Sequence, residues 1–107
     1  MKGYAAHMNR GTTPTITFST PLKAEDVAAL SVVFTDKTGA VLIQKTLPDV
    51  TVCDYAITFT LSQTETLGLP DGGITEAQIR IRDTGGIAYA SNIVSVDSGR
   101  ILKTGVI

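Results

Sequence analysis

The chain has no tryptophan, a single cysteine (Cys53) and a single histidine (His7) among 107 residues. Each scarcity removes a class of chemistry. Nucleophilic catalysis needs a base within hydrogen-bond reach of a Ser, Thr or Cys. His7 lies in a loose leader, so it and Cys53 meet only by accident, and Cys53 reads as a small apolar side chain or inert thiol. A zinc centre needs about four suitably spaced ligands, which two Cys/His residues do not supply. One cysteine also excludes a disulfide framework, and folding inside a cell is the natural expectation. Charge is balanced, with 9 basic and 10 acidic residues that form no runs. That argues against a nucleic-acid or anionic-membrane surface. The longest apolar run, VAALSVVF at 27–34, is far short of the ~20 residues a spanning helix needs. MKGYAAHM carries no apolar h-region and does not read as a signal peptide.

Other motifs are missing too. The carboxylates Asp36, Asp49, Asp54, Asp71, Asp83 and Asp97 sit at turns, where bonding nearby backbone N–H groups is their ordinary use. No D-x-D-x-D-G spacing supports calcium. DTGG and PDGG lack the Lys-Ser/Thr and the helix of a phosphate cradle. Sugar-binding sandwiches rest on exposed aromatics, and here only Tyr4, Tyr55 and Tyr89 are candidates. No catalytic residue, metal ligand or cofactor site emerges, and the expectation is a protein that is not an enzyme. Arg80 and Arg82, on one outward face, can meet cross-strand acids, a partner or plain solvent.

What is present is Val, Ile and Thr in alternation, with turn signals every 8 to 12 residues or so. TPTITFST turns Ile16 and Phe18 inward, with Pro14 at its entrance. LSVVFTD turns Leu30, Val32 and Phe34 to one face; Asp36-Lys37-Thr38-Gly39 is a hairpin turn leading into AVLIQKT. Pro48-Asp49 breaks that strand, VTV adds a short piece, and Cys53-Asp54 bends the chain. YAITFTL buries Ile57, Phe59 and Leu61. TEAQIRIRD buries Ala77, Ile79 and Ile81, and DTGG leads to IAYASNIVSV, read as one strand. PLKAEDVAAL has room for a helical turn at 24–28. The apolar tail of GRILKTGVI is expected to dock. Residues 1–9 read as a flexible leader and 10–107 as one antiparallel β-sandwich domain of about 6–8 strands. A hydrophobic fraction of 43% fits a well-packed core, and more weakly an assembly surface.

One helical element interrupts this pattern. In LSQTETLGLPDG, Ser62 and Glu65 have the spacing of a capping box, and Gly68 and Pro70 stop the helix after a turn or two. A strand crossing between the sheets of a sandwich cannot use a two-residue hairpin. A capped turn spans that gap, satisfies its own backbone groups and drops Leu67 or Leu69 onto the open end of the core.

The order of NRGTTPTITF, VVFTDKTGAVLIQKT, ITFTLSQTETLGLPDG and ASNIVSVDSGRIL resembles the N-terminal domain family of phage baseplate upper proteins, and short tail proteins of phages and prophages of Gram-positive bacteria. The likeness covers residues 9–103. Its most specific pieces are Arg10–Pro14, Ser62–Leu67 and Ala90–Val94, which are fold signatures. The resemblance implies an immunoglobulin-like sandwich in the virion, assembled in the host cytoplasm, that docks on other tail or baseplate proteins. Longer members continue into a stalk that carries receptor-binding proteins; here an accessory or adaptor role is the expectation. The alternative is a small carbohydrate- or cell-surface-binding module. A homo-oligomer is also expected, because the strand Thr13–Thr17 and the strand around NIVSV offer edges without Lys or Glu guards, and because Ile101, Leu102, Val106 and Ile107 form an apolar tail.

Overall fold

Alternating apolar side chains build two facing sheets in the computed structural model, which describes residues 2–3, 7–99 and 101–107. The strands are β1 (Lys2–Gly3), β2 (His7–Asn9), β3 (Thr15–Ser19), β4 (Val27–Thr35), β5 (Val41–Thr46), β6 (Thr51–Cys53), β7 (Ala56–Thr60), β8 (Ile74–Asp83), β9 (Ala88–Ala90) and β10 (Val94–Gly99). A short α-helix, α1 (Gln63–Leu67), lies between β7 and β8. One sheet has the order β1-β3-β7-β6; the other has β2-β10-β8-β4-β5, with β9 also on β8. Ten strands among the described residues exceed the expected number because β1, β2 and β9 are too short to show a period.

The inward residues are those alternation selects. Ile16, Phe18, Leu30, Val32, Phe34, Ile57, Phe59, Leu61, Ala77, Ile79 and Ile81 are all buried. Phe59 joins the layers: its ring lies 6.2 Å from Phe18 on the same sheet and 6.2 Å, edge-on, from Phe34 on the opposite sheet. The outer face of the smaller sheet is threonine. Thr15 bonds Thr60 and Thr17 bonds Thr58 across the β3–β7 pair, at 3.0 and 3.2 Å.

The turns follow their chemistry. Gly39 has φ +89° in the β4–β5 hairpin, and the Asp36 carboxylate accepts from the N–H groups of Thr38 and Ala40. The Pro48-Asp49 break is a 3₁₀ turn capped by Thr46 and Asp49. The 24–28 turn is realised as 3₁₀ at Ala24–Asp26, and β4 starts at Val27.

Two expectations are corrected. IAYASNIVSV is not one strand. Arg80 faces Ala90 while Ala77 faces Val94, so three residues oppose two, which is a β-bulge at Ser91–Ile93. The apolar tail docks only in part: Ile101 is half-buried beside Gly11, whereas Leu102, Val106 and Ile107 are exposed and the Ile107 main chain is held by Gln63. Beside the stretches read as edges, β2 pairs with Asp97–Gly99 of β10 in parallel and β1 pairs with Phe18–Ser19 of β3, so Thr15–Thr17 and Val94–Val96 keep a side that neither short strand reaches. The segment read as a leader therefore supplies backbone to both sheets.

Candidate functional site

Side chains and main chain from distant parts of the sequence meet at the helix α1. Ser62 accepts from the Glu65 N–H at 3.1 Å, and the Glu65 carboxylate accepts from the Ser62 N–H at 2.9 Å, completing the capping box. The helix crosses from β7 in the smaller sheet to β8 in the larger, as the crossing argument requires, and Leu69 is buried behind it. Besides the bonds between Gln63 and the Ile107 main chain, three tertiary interactions fix it. Thr66 is fully buried and donates its hydroxyl to the carbonyl of Thr12 at 2.8 Å. The Lys45 ammonium, on the inward parity of β5, meets Glu65 at 2.7 Å. Arg10 donates to the Leu67 carbonyl at 2.8 Å and pairs with Asp71 at 3.2 Å. A cation at a helix C-terminus suits the orphan carbonyls there. Gly11 takes φ +75° beside Leu67, a left-handed backbone that favours glycine.

Partial burial pushes the Glu65 carboxyl upward, but hydrogen bonds from Lys45 and Ser62 outweigh it and hold the group below its ordinary value. Asp36 is lowered by the Thr38 hydroxyl first, and Asp49 by the Thr46 N–H first. Burial, with the Asp83 charge and hydrogen bond behind it, raises Tyr89.

The second signature, Arg10–Pro14, thus clamps the first, Ser62–Leu67. The third, Ala90–Val94, is the bulge. Ser91 is buried; its N–H donates to the Ile79 carbonyl at 2.9 Å, and its hydroxyl accepts from the Ile79 N–H at 3.1 Å, replacing the backbone acceptor the bulge removes. All three pieces are joints of the scaffold.

The other candidates are dispersed. Cys53 is exposed at the end of β6, whereas His7 belongs by its backbone to the opposite sheet; the His7 side chain lies outside the described atoms. Among the described residues no three His, Cys, Asp or Glu gather as metal ligands. Asp36, Asp49 and Asp83 bond local N–H groups, but Asp54 reaches the Ala24 N–H and Asp71 reaches Arg10. Tyr55 is exposed on the β6–β7 turn, and Tyr89, half-buried on β9 in the other sheet, donates to Asp83 at 3.3 Å. The two form no common platform, and Tyr4 lies outside the described residues. The turns DKTG and PDGG, far apart in sequence, meet around a recess of about 360 Å³ lined by Asp36, Lys37, Thr38, Pro70, Gly73 and Ile74.

With the geometry in place, comparison with known proteins decides the fold. A crystal structure of a chicken TCR superposes with a TM-score of 0.62 over 97% of this chain. The fold is an immunoglobulin-like β-sandwich. At 11% identity the likeness is one of fold, and the immunoglobulin-like domain spans 57% of that receptor chain. No protein-family model matches the sequence, and no curated protein does. No helix among the described residues is long and apolar enough to cross a membrane.

The sequence did not point to Arg10 or Lys45 as clamps of α1. Arg10 stands 57 positions from Leu67 and Lys45 stands 20 from Glu65, and nothing local marks either pair.

Proposed function

We propose that this immunoglobulin-like sandwich is a structural module of a phage or prophage tail or baseplate, an adaptor that works through protein–protein contacts. The observation that carries the reading is the placement of the three signature segments. Each one braces the scaffold, at the α1 clamp and at the Ser91 bulge, and none assembles reactive groups. What the described surface offers instead is contact area: Val41, Ile74, Ile87, Ile93, Leu102, Val106 and Ile107 are large apolar side chains left exposed. Of these, Leu102, Val106 and Ile107 fall together in the terminal segment 101–107, and apolar exposure gathered in one segment suits an interaction surface. The tail residues Leu102, Val106 and Ile107 form a ready peptide arm for a neighbouring tail protein.

The test is compositional. Particles induced from a producing strain and purified by density gradient should contain this chain at stoichiometric level by mass spectrometry. Its absence from intact particles overturns the reading. Charge substitution at Ile107 (Ile107→Asp) should lower incorporation without lowering the melting temperature.

A further inference from the structure

The outer face of the larger sheet has a charge pattern that its own chain does not answer. Along β8 the outward side chains are Glu76, Gln78, Arg80 and Arg82, in that order. The strand register places Ser31 and Ala90 beside Arg80, and Ala29 and Ala88 beside Arg82. Thr35 and Ser95 stand beside Glu76. All these neighbours are uncharged, and among the described residues Glu76, Arg80 and Arg82 take no salt bridge. Glu76 and Arg80 cannot answer each other either, since four strand residues separate them by ~13 Å.

The pattern is symmetric about Gln78. Glu76 lies two residues before it and Arg80 two residues after. Beside Gln78 stands Val33, and the bulge at Ser91–Ile93 turns Ile93 outward at the same level. Val33, Glu76, Gln78 and Ile93 line one shallow recess of about 110 Å³. Small neighbours leave a second hollow of about 300 Å³ around Arg80 and Arg82.

We propose that this face binds a second copy of the chain across a two-fold axis that lies between the two sheets, parallel to them and perpendicular to β8 at the level of Gln78, so that the two faces meet and the two β8 strands run in opposite directions. It sets Glu76 of each copy over Arg80 of the other, and brings Val33 and Ile93 of the two copies together at the centre. A two-fold interface requires such a self-complementary patch. The hollow left by Ala29, Ser31, Ala88 and Ala90 admits the longer side chains of the reversed partner strand. The strands of this face, from three residues in β2 to ten in β8, offer roughly 600 Å² per copy at about 3.3 Å per residue and about 4.8 Å between strands, which suits an interface at the small end of the stable range. The inference rests on the docking role proposed above and names one of its surfaces.

The experiment uses sedimentation equilibrium on the wild-type chain, Glu76→Arg, Arg80→Glu and an equimolar mixture of the two variants. Wild type should dimerise at micromolar concentration, more weakly at high salt. Each single reversal should raise the dimer Kd at least ~tenfold, since two attractive pairs become two repulsive ones. The mixture should restore dimer as a heterodimer. In it the arginine introduced at position 76 of one variant meets the glutamate introduced at position 80 of the other, and the two unaltered side chains, Arg80 and Glu76, pair likewise. Restoration also shows that both variants fold. A monomeric wild type at 100 µM, reversals that leave dimerisation unchanged, or a mixture that stays monomeric would each overturn the proposal. A chain that is monomeric yet present in purified particles defeats this interface alone and leaves the tail reading standing.

Discussion

Ser91→Ala is the most discriminating single test of the fold's internal logic. In the bulge the Ile79 N–H has no backbone acceptor, and the Ser91 hydroxyl at 3.1 Å takes that place. Ile79 is fully buried, so water does not substitute when the oxygen is removed. A buried donor left unsatisfied costs about 1–3 kcal/mol. The same hydroxyl donates to the Asn92 carbonyl at 2.8 Å, but Asn92 is exposed and water replaces that bond at little cost. The side chain loses one atom, so the cavity contribution is small. The expected loss is therefore about 2 kcal/mol, which at a urea m-value of roughly 1–2 kcal/mol/M lowers the midpoint by about 1–2 M. Ser95→Ala, an exposed serine on β10, is the control and should stay within about 0.5 kcal/mol of wild type. Equal midpoints for the two variants would refute the idea that the hydroxyl stands in for a strand carbonyl.

Three further outcomes follow from the α1 joint and one turn. Arg10→Met removes the bond to the Leu67 carbonyl and the Asp71 pair; a loss of about 1.5–3 kcal/mol is expected in urea melts, and Arg10→Lys, lacking the planar fork, should recover only part of it. Glu65 has a folded-state pKa below its ordinary 4.5, so its contribution is complete above that value and is lost as pH falls through the folded pKa. Melts from pH 7 to pH 3 should lose less stability in Glu65→Gln than in wild type, and identical pH slopes would contradict the Lys45–Glu65 pairing. Tyr55 adopts φ +66° on the β6–β7 turn; because left-handed backbone costs a non-glycine residue about 1–2 kcal/mol, Tyr55→Gly should be neutral or raise the melting temperature, and a drop of several degrees would count against that turn geometry.

Much of the scaffold was legible because its determinants are local. Ile16 and Phe18, Ile57 and Phe59, and Ile79 and Ile81 announce their faces by alternation, and Ser62 and Glu65 announce a cap by spacing. The crossing of α1 between the sheets followed from geometry alone. The bulge was not legible, since ASNIV looks like continuous strand and only the register against β8 reveals the extra residue. The clamp residues Arg10 and Lys45 escaped notice because their partners are remote in sequence. The expected docking of the tail stopped at Ile101 for a related reason: apolar composition at Leu102 and Ile107 says that cover is wanted, not which surface supplies it. For the proposed interface, parity alone put Arg80 and Arg82 on an outward face. That their neighbours are alanine and serine rather than acids required strand pairing.

The parallel pairing of β2 with β10 has a kinetic consequence. His7 lies against Asp97, with some ninety residues between them. On a ribosome adding ~5–20 residues per second, β2 waits roughly 5–18 s for the strand it must join. Nothing nearer in the chain can pair with it in that register, so its docking is a late event with a large loop to close. Until then the outer edge of β10 at Asp97–Gly99 stands open, and another chain can take it. The moment at which an assembly partner is met, before or after this strand closes, then decides whether that edge is filled from within or from outside.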